Sequence, residues 1–144
     1  MTKTIKHAFF YSHKPESVWE YLTDAELMAQ WLMPNDFKPV VGHNFKFIIK
    51  PMPAFNFDGI IFCKVLELVP NKKLVYSWKG GPGPGETTLD STVTWTLTPK
   101  DKGTELLIEH TGFATDEAML QIFSVMDAGW KQNIQKIDEL IKAR

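Results

Sequence analysis

The feature that most constrains the fold is a run of alternating apolar and polar residues in the middle of the chain, from residue 40 to 99. Its clearest segment alternates bulky apolar side chains with threonines: Thr92, Val93, Thr94, Trp95, Thr96, Leu97, Thr98. A strand turns successive side chains to opposite faces, so this segment predicts one apolar and one hydrated sheet face. Similar alternation over residues 44–49 and 74–79 predicts neighbouring antiparallel strands.

The breaks between these strands consist of residues typical of turns and loops. They lie at residues 71–73, 80–85 and 100–103, and they are short enough to join antiparallel neighbours. The glycine-proline tract at 80–85 lacks the Lys-Ser/Thr pair of a phosphate-binding loop and does not open a helix. We therefore predict a hairpin loop there.

Different patterns flank this sheet. Residues 4–12 and 104–113 alternate as strands, and two short apolar-faced helices are expected after Pro15 and before Pro34. After residue 115, apolar residues recur at steps of three and four: Met119, Ile122, Phe123, Met126, Trp130, Ile134, Ile137, Ile141. Thr115 is the expected cap of a helix over residues 116–142, about 40 Å long at 1.5 Å per residue.

These elements predict one α+β domain over residues 1–144. Its curved antiparallel sheet of six to seven strands closes over the long terminal helix, and two short helices follow the first strand. This is the helix-grip order, known from Bet v 1-like and START-like proteins. We find no internal repeat and no domain linker.

Several motifs carry a resemblance to a known family over nearly the whole chain. They include Pro15-Glu-Ser-Val-Trp19, Leu66-Glu-Leu-Val-Pro70, Leu74-Val-Tyr-Ser-Trp78, His110-Thr-Gly-Phe113 and Gly129-Trp130. In order and approximate spacing, the chain resembles the START-like (SRPBCC) proteins related to the C-terminal domain of the activator of heat-shock-protein-90 ATPase. The resemblance implies an apolar cavity between sheet and helix, which in the superfamily holds lipids, polyketides, sterols or hormones.

Composition excludes some classes of partner. Sixteen basic and seventeen acidic residues give a net charge of −1, without a basic run that would neutralise phosphates, so nucleic acid is not an expected partner. No apolar segment reaches the ~18 residues of a membrane span or forms a signal-peptide core, so a cytoplasmic protein is expected. Cys63 stands alone in an apolar run and reads as a small buried hydrophobe.

Strand and helix parity selects the side chains expected to line the cavity. They are His7, Phe9, Tyr11, Phe45, Phe47, Tyr76, Trp78, Trp95, His110, Met119, Phe123, Met126 and Trp130. For His110 two interpretations stay open: a structural hydrogen bond inside the core, or a contact with the ligand. The four histidines have no partners at metal-ligand spacing, so we predict neither a metal nor another cofactor.

Two further features have open interpretations. The segment from Lys50 to Phe57 carries Met52, Phe55 and Phe57 between prolines, and it is either a hydrophobic lid or an ordinary packed loop. Glu67 is either an inward carboxylate with a raised pKa or a residue that faces water. If it met His110, the two would form an acid/base pair.

Three hypotheses about function follow. The first is non-enzymatic binding of a small hydrophobic ligand between the sheet and the terminal helix, because the interior is aromatic and rich in methionine. The second, from the resemblance, is a co-chaperone-like interaction with a protein partner, the chaperone. The third is a cavity enzyme of the cyclase or hydratase type, as a few members of the superfamily are. No complete catalytic motif selects this third hypothesis.

Overall fold

The structure is a computed structural model that describes residues 2–55, 57–83 and 86–143, with only the backbone of Phe55. Asn56 of the expected lid and residues 84 and 85 of the expected hairpin loop lie outside this part. The elements in chain order are β1 (Thr2–Tyr11), α1 (Pro15–Thr23), α2 (Ala25–Trp31), β2 (Asn44–Ile48), β3 (Ile60–Val69), β4 (Lys73–Gly80), β5 (Leu89–Lys100), β6 (Gly103–Ala114) and α3 (Glu117–Lys142).

The strands form one antiparallel sheet with the order β1-β6-β5-β4-β3-β2. Within the described residues it has six strands, and the predicted α+β helix-grip fold is confirmed. In β5, Val93, Trp95 and Leu97 are buried, whereas the threonines between them lie on the opposite, more hydrated face. We call the face that packs on α3 the inner face and the other the outer face.

Turn chemistry sets the strand pairing. Asp101 and Lys102 join β5 to β6, and both have φ in the left-handed region, at 47° and 63°. A two-residue turn of this kind has the twist that an antiparallel hairpin requires. Asn71, with φ of 64°, makes the corresponding bend between β3 and β4, because a short polar side chain tolerates this conformation.

Aspartates begin two of the helices. The Asp24 carboxylate accepts hydrogen bonds from the backbone N–H groups of Glu26 and Leu27 at the start of α2. At α3, Asp116 accepts from the backbone N–H of Met119, so the expectation that Thr115 is the cap was wrong by one residue. A carboxylate is favoured there because it satisfies a free N–H and also interacts with the positive end of the helix dipole.

The long helix lies on the inner face, where Trp130, Ile134 and Ile137 are buried. Side chains of β1 bind it along one side. The His7 imidazole Nε2 lies 2.8 Å from a carboxylate oxygen of Asp127, and the buried Tyr11 hydroxyl donates to the Ile134 carbonyl oxygen. These contacts define the position of α3 along β1.

A second imidazole–carboxylate pair completes this attachment near the C-terminal end of α3. Nε2 of His13 is 2.8 Å from Asp138 Oδ1, and Lys142 Nζ is 3.1 Å from the other carboxylate oxygen. Burial raises the pKa of Asp138, but hydrogen bonds from Lys142 and His13 and their positive charge outweigh it, so the pKa lies below its usual value. The carboxylate therefore stabilises the fold above about pH 4, and that contribution disappears as the pH falls through its lowered pKa.

Candidate ligand-binding site

A mainly apolar cavity of about 200 Å³ lies between α3 and the half of the sheet that carries β3 and β4. It is partly open at the protein surface. The end of α2, the loop between β2 and β3, and the adjoining ends of β4 and β5 complete its wall. Its lining residues are Leu32, Met33, Ile49, Met52, Phe57, Ile61, Trp78, Gly80, Gly81, Thr88, Leu89, Ile122, Val125, Met126, Gly129, Trp130 and Asn133. None of these side chains is charged.

The loop between β2 and β3 is held against the cavity by backbone hydrogen bonds. Met52 N–H donates to the Phe57 carbonyl at 2.8 Å, and Ile49 N–H donates to the Gly59 carbonyl at the same distance. Gly59 has φ of 93°, and a Cβ there would collide with the Ile49 carbonyl oxygen, so the position requires glycine. Met52 and Phe57 line the cavity, and the expected lid segment thus contributes to its wall.

His110 is the centre of a buried hydrogen-bond chain behind the cavity. The Trp130 indole N–H donates to His110 Nδ1 at 3.0 Å, and Nε2 lies 2.8 Å from the Ser91 hydroxyl oxygen. Since Nδ1 accepts, the neutral ring carries its proton on Nε2 and donates to Ser91. The Ser91 hydroxyl in turn donates to the Trp78 carbonyl oxygen at 2.7 Å. Both ring nitrogens therefore have partners.

This hydrogen-bond chain holds the indole of Trp130 and the backbone of Trp78. Burial lowers the pKa of His110 to about 3, so the ring is neutral at physiological pH and remains an acceptor for Trp130. The rings of Trp130 and Trp78 lie 5.2 Å apart, centroid to centroid, and both line the cavity. The structure thus shows the structural hydrogen bond that was one of the two interpretations of His110.

The structure places all thirteen predicted site residues on the inner face or on the side of α3 that packs against it. Three of them, Trp78, Met126 and Trp130, line the cavity. The others pack in or against the core: His7, Phe9, Tyr11, Phe45, Phe47, Tyr76, Trp95, His110, Met119 and Phe123.

Polar atoms among these core residues also have partners. The Tyr76 hydroxyl accepts from the Trp95 indole N–H at 2.9 Å, and burial raises the pKa of Tyr76. Burial likewise raises the pKa of the Cys63 thiol, which fits the predicted small buried hydrophobe. Within the described residues, every buried side-chain nitrogen and oxygen has a hydrogen-bond partner.

Glu67 and His110 do not meet. Glu67 is exposed in β3, and its carboxylate lies 3.5 Å from the ammonium group of Lys73, whereas His110 is fully buried in its hydrogen-bond chain. The carboxylate therefore faces water, as one of its two interpretations proposed. In the described part of the chain, no three His, Cys, Asp or Glu side chains gather to hold a metal ion.

Most residues of the cavity lining were not among the predicted site residues. Val125, Gly129 and Asn133 each lie three residues after a member of the predicted apolar stripe, so helical spacing in the sequence could have placed them beside it. Among the loop residues, Met52 and Phe57 belong to the expected lid segment, and the others carried no signal because no periodicity relates them to the helix.

The fold and the cavity define a helix-grip domain with an apolar cleft between α3 and the sheet. A family model described as Activator of Hsp90 ATPase homolog 1-like protein matches residues 12–142, so the chain belongs to this family of the START-like superfamily. The predicted family is therefore confirmed.

Solved structures show the same architecture. Protein MLL2253 from Mesorhizobium loti is 36% identical, with a TM-score of 0.84 over 98% of both chains. Bacillus halodurans protein BH1534 is 26% identical, with a TM-score of 0.75 over 96% of this chain and 98% of its own. The Aha1 dimer from Colwellia psychrerythraea is 19% identical, with a TM-score of 0.74 over 95% and 94%, respectively, and it shows the fold alone.

Comparison with curated proteins gives no match. As for membranes, none of the helices in residues 2–55, 57–83 and 86–143 combines the length and apolar character of a span.

The neutral state of His110 predicts a pH dependence of stability. In the unfolded protein, the His110 imidazole has its ordinary pKa of about 6.5 and is protonated below that pH. In the folded protein, the same imidazole stays neutral until about pH 3. As the pH drops from about 6.5 to 5, the free energy of unfolding of the wild-type protein should therefore fall more steeply than that of H110Q. The difference between the two slopes should be up to about 1.4 kcal/mol per pH unit. Urea unfolding of both proteins across this range measures the difference. Equal slopes would contradict a neutral, buried imidazole.

Proposed function

We propose that this protein binds a small, uncharged, hydrophobic molecule in the cavity between α3 and the sheet, without catalysing its conversion. The observation that carries the proposal is an apolar cavity that is partly open and walled by Trp78, Met126 and Trp130. Soluble domains bind small ligands in concave, mainly apolar sites with a few polar groups. Asn133 and Thr88 supply such polar groups here.

The lining favours binding over catalysis. Its residues include no titratable acid or base, and His110 lies behind Trp130 with both nitrogens engaged. General acid/base chemistry requires a group within hydrogen-bond reach of the reacting atom. A charged ligand would lose its hydration without gaining an ionic partner from the lining, so an uncharged one is favoured.

The size of the cavity limits the affinity to a moderate value. A dissociation constant of 1 μM corresponds to about −8 kcal/mol, or roughly 0.7–0.8 kcal/mol per heavy atom for a ligand of about ten atoms. This lies within the range that very small ligands reach when they are fully buried. Micromolar binding is therefore the expected scale.

Ligand binding is tested by thermal unfolding together with NMR of the indole N–H groups. A panel of neutral apolar compounds should include one that, at ten times its Kd, adds about 1.4 kcal/mol and raises Tm by about 3–5 °C. The same compound should shift the N–H signals of Trp78 and Trp130, while that of Trp19, which does not line the cavity, serves as the internal control. Shifts confined to Trp19, or none across the panel, would contradict the proposal.

A second candidate function is an interaction with a chaperone, supported by the family description. One surface feature favours it: Phe62 is 53% exposed on the outer face of β3, and Lys46 and Lys79 are its cross-strand neighbours. Exposed aromatic side chains of this kind are common at protein interfaces. Ile48 of β2 and Leu66 of β3 are also exposed apolar side chains.

The chaperone interaction is tested by the ATPase rate of purified Hsp90. The wild-type protein should increase this rate, and F62S should increase it several-fold less because the aromatic contact is lost. V41S is the matched control, since Val41 is equally exposed but lies outside the sheet. Lack of stimulation by the wild-type protein would contradict the chaperone interaction. Equal stimulation by F62S would show that the surface around Phe62 is not the contact.

A further inference from the structure

Gly129 occupies a position where nothing in the structure calls for glycine. It lies inside the 26-residue helix α3, and glycine is the least favourable residue for a helix interior apart from proline. Its φ is not in the left-handed region, and an added Cβ would meet no heavy atom within 4 Å. Gly59, by contrast, has both a positive φ and a close backbone neighbour. Packing and backbone geometry therefore leave Gly129 unexplained.

The space beside Gly129 belongs to the cavity. Gly129 lines it on the same stripe of α3 as Met126 and Trp130. A side chain here would extend into empty volume instead of into protein. The absent side chain thus enlarges the cavity at the middle of the helix.

Shape and chemistry of the wall limit what fills this volume. Two aromatic rings face the cavity: the Trp130 ring is held by its hydrogen bond to His110, and the Trp78 ring packs edge to face on the His110 ring, with centroids 5.3 Å apart. Flat aromatic molecules pack well against such rings. An apolar cavity of about 150 Å³ is known to hold benzene, so about 200 Å³ holds one substituted ring or two fused rings.

Asn133 is the polar group nearest along the helix stripe. It follows Gly129 by one helical turn, lines the cavity, and is only partly buried. Its side-chain amide makes no hydrogen bond within the described part of the chain, although an amide offers both donors and an acceptor. A ligand with one hydroxyl or carbonyl group would find a partner there.

We propose that Gly129 determines the size of the ligand, and that the ligand is a neutral aromatic molecule of two fused rings whose single polar group meets Asn133. This proposal rests on the binding function above and specifies its ligand class. Gly129 leaves free the cavity volume that a larger side chain would fill, and Asn133 orients the bound molecule.

The test for Gly129 is calorimetric titration of the intact protein with 2-naphthol, phenol and decanol. Wild type should bind 2-naphthol more tightly than either other probe. G129A should bind 2-naphthol more weakly while still binding phenol, and G129L should lose at least about tenfold in affinity for 2-naphthol because its isobutyl group fills the cavity. A128L is the matched control: Ala128 is exposed on the same helix and does not line the cavity, so its affinity should equal that of wild type.

Folding of the variants is checked by thermal unfolding. G129A should have a higher Tm than wild type, because alanine stabilises a helix interior that offers room for it. If 2-naphthol binds wild type and G129A equally well, the size role of Gly129 is overturned even if G129L does not fold. If decanol binds and 2-naphthol does not, the binding function stands and the aromatic ligand class falls. If none of the three probes binds, the proposed binding function is contradicted together with the ligand class.

The test for Asn133 compares two ligands that differ by one hydroxyl. N133A should lose about fivefold in affinity for 2-naphthol and bind naphthalene as wild type does, since one hydrogen bond is worth about that factor. 2-Naphthoate, which has the same rings and a negative charge, should bind wild type at least about tenfold more weakly than 2-naphthol. Equal losses in affinity for 2-naphthol and naphthalene in N133A would overturn the proposed polar contact. Tight binding of 2-naphthoate would overturn the neutral ligand class.

Discussion

The structure depends on one buried chain of hydrogen bonds that joins α3 to three strands. It runs from the Trp130 indole through His110 and Ser91 to the backbone of Trp78, and so links α3 with β6, β5 and β4. A polar group removed from water is tolerated when its hydrogen bonds are replaced, and loss of one partner leaves the next unsatisfied. The members of this chain therefore hold one another in place, and the ring of Trp130 has a defined position on the sheet.

Aromatic packing fills most of the volume around this chain. Trp95 lies edge to face with both Trp31 and Trp130, with centroid distances of 5.9 and 5.4 Å. Such contacts leave little free space under the centre of the sheet, so the cavity lies to one side, against the loop that carries Met52. The rings of Trp78 and Trp130 and the flexible side chains of Met33, Met52 and Met126 line this cavity.

Sequence periodicity predicts the faces of the strands and helices here because side-chain direction follows from local backbone geometry. Trp95 and His110 lie on the expected face, and the apolar stripe of α3 meets the sheet as expected. The cavity depends on volumes left over after packing, which no single element determines. Leu32 and Gly81 come from a helix end and a loop, and their approach to α3 is a tertiary contact without a local signal. The sequence shows Gly129 as part of a family motif, but it does not show the free space beside this residue.

The proposed binding requires that a guest can enter the apolar space between α3 and the sheet. A crystal structure determined under xenon pressure tests it directly, because xenon occupies dry apolar cavities. We expect xenon density bounded by Trp78, Met126 and Trp130, beside Gly129. Side chains packed into that space, or ordered water in place of xenon, would contradict it.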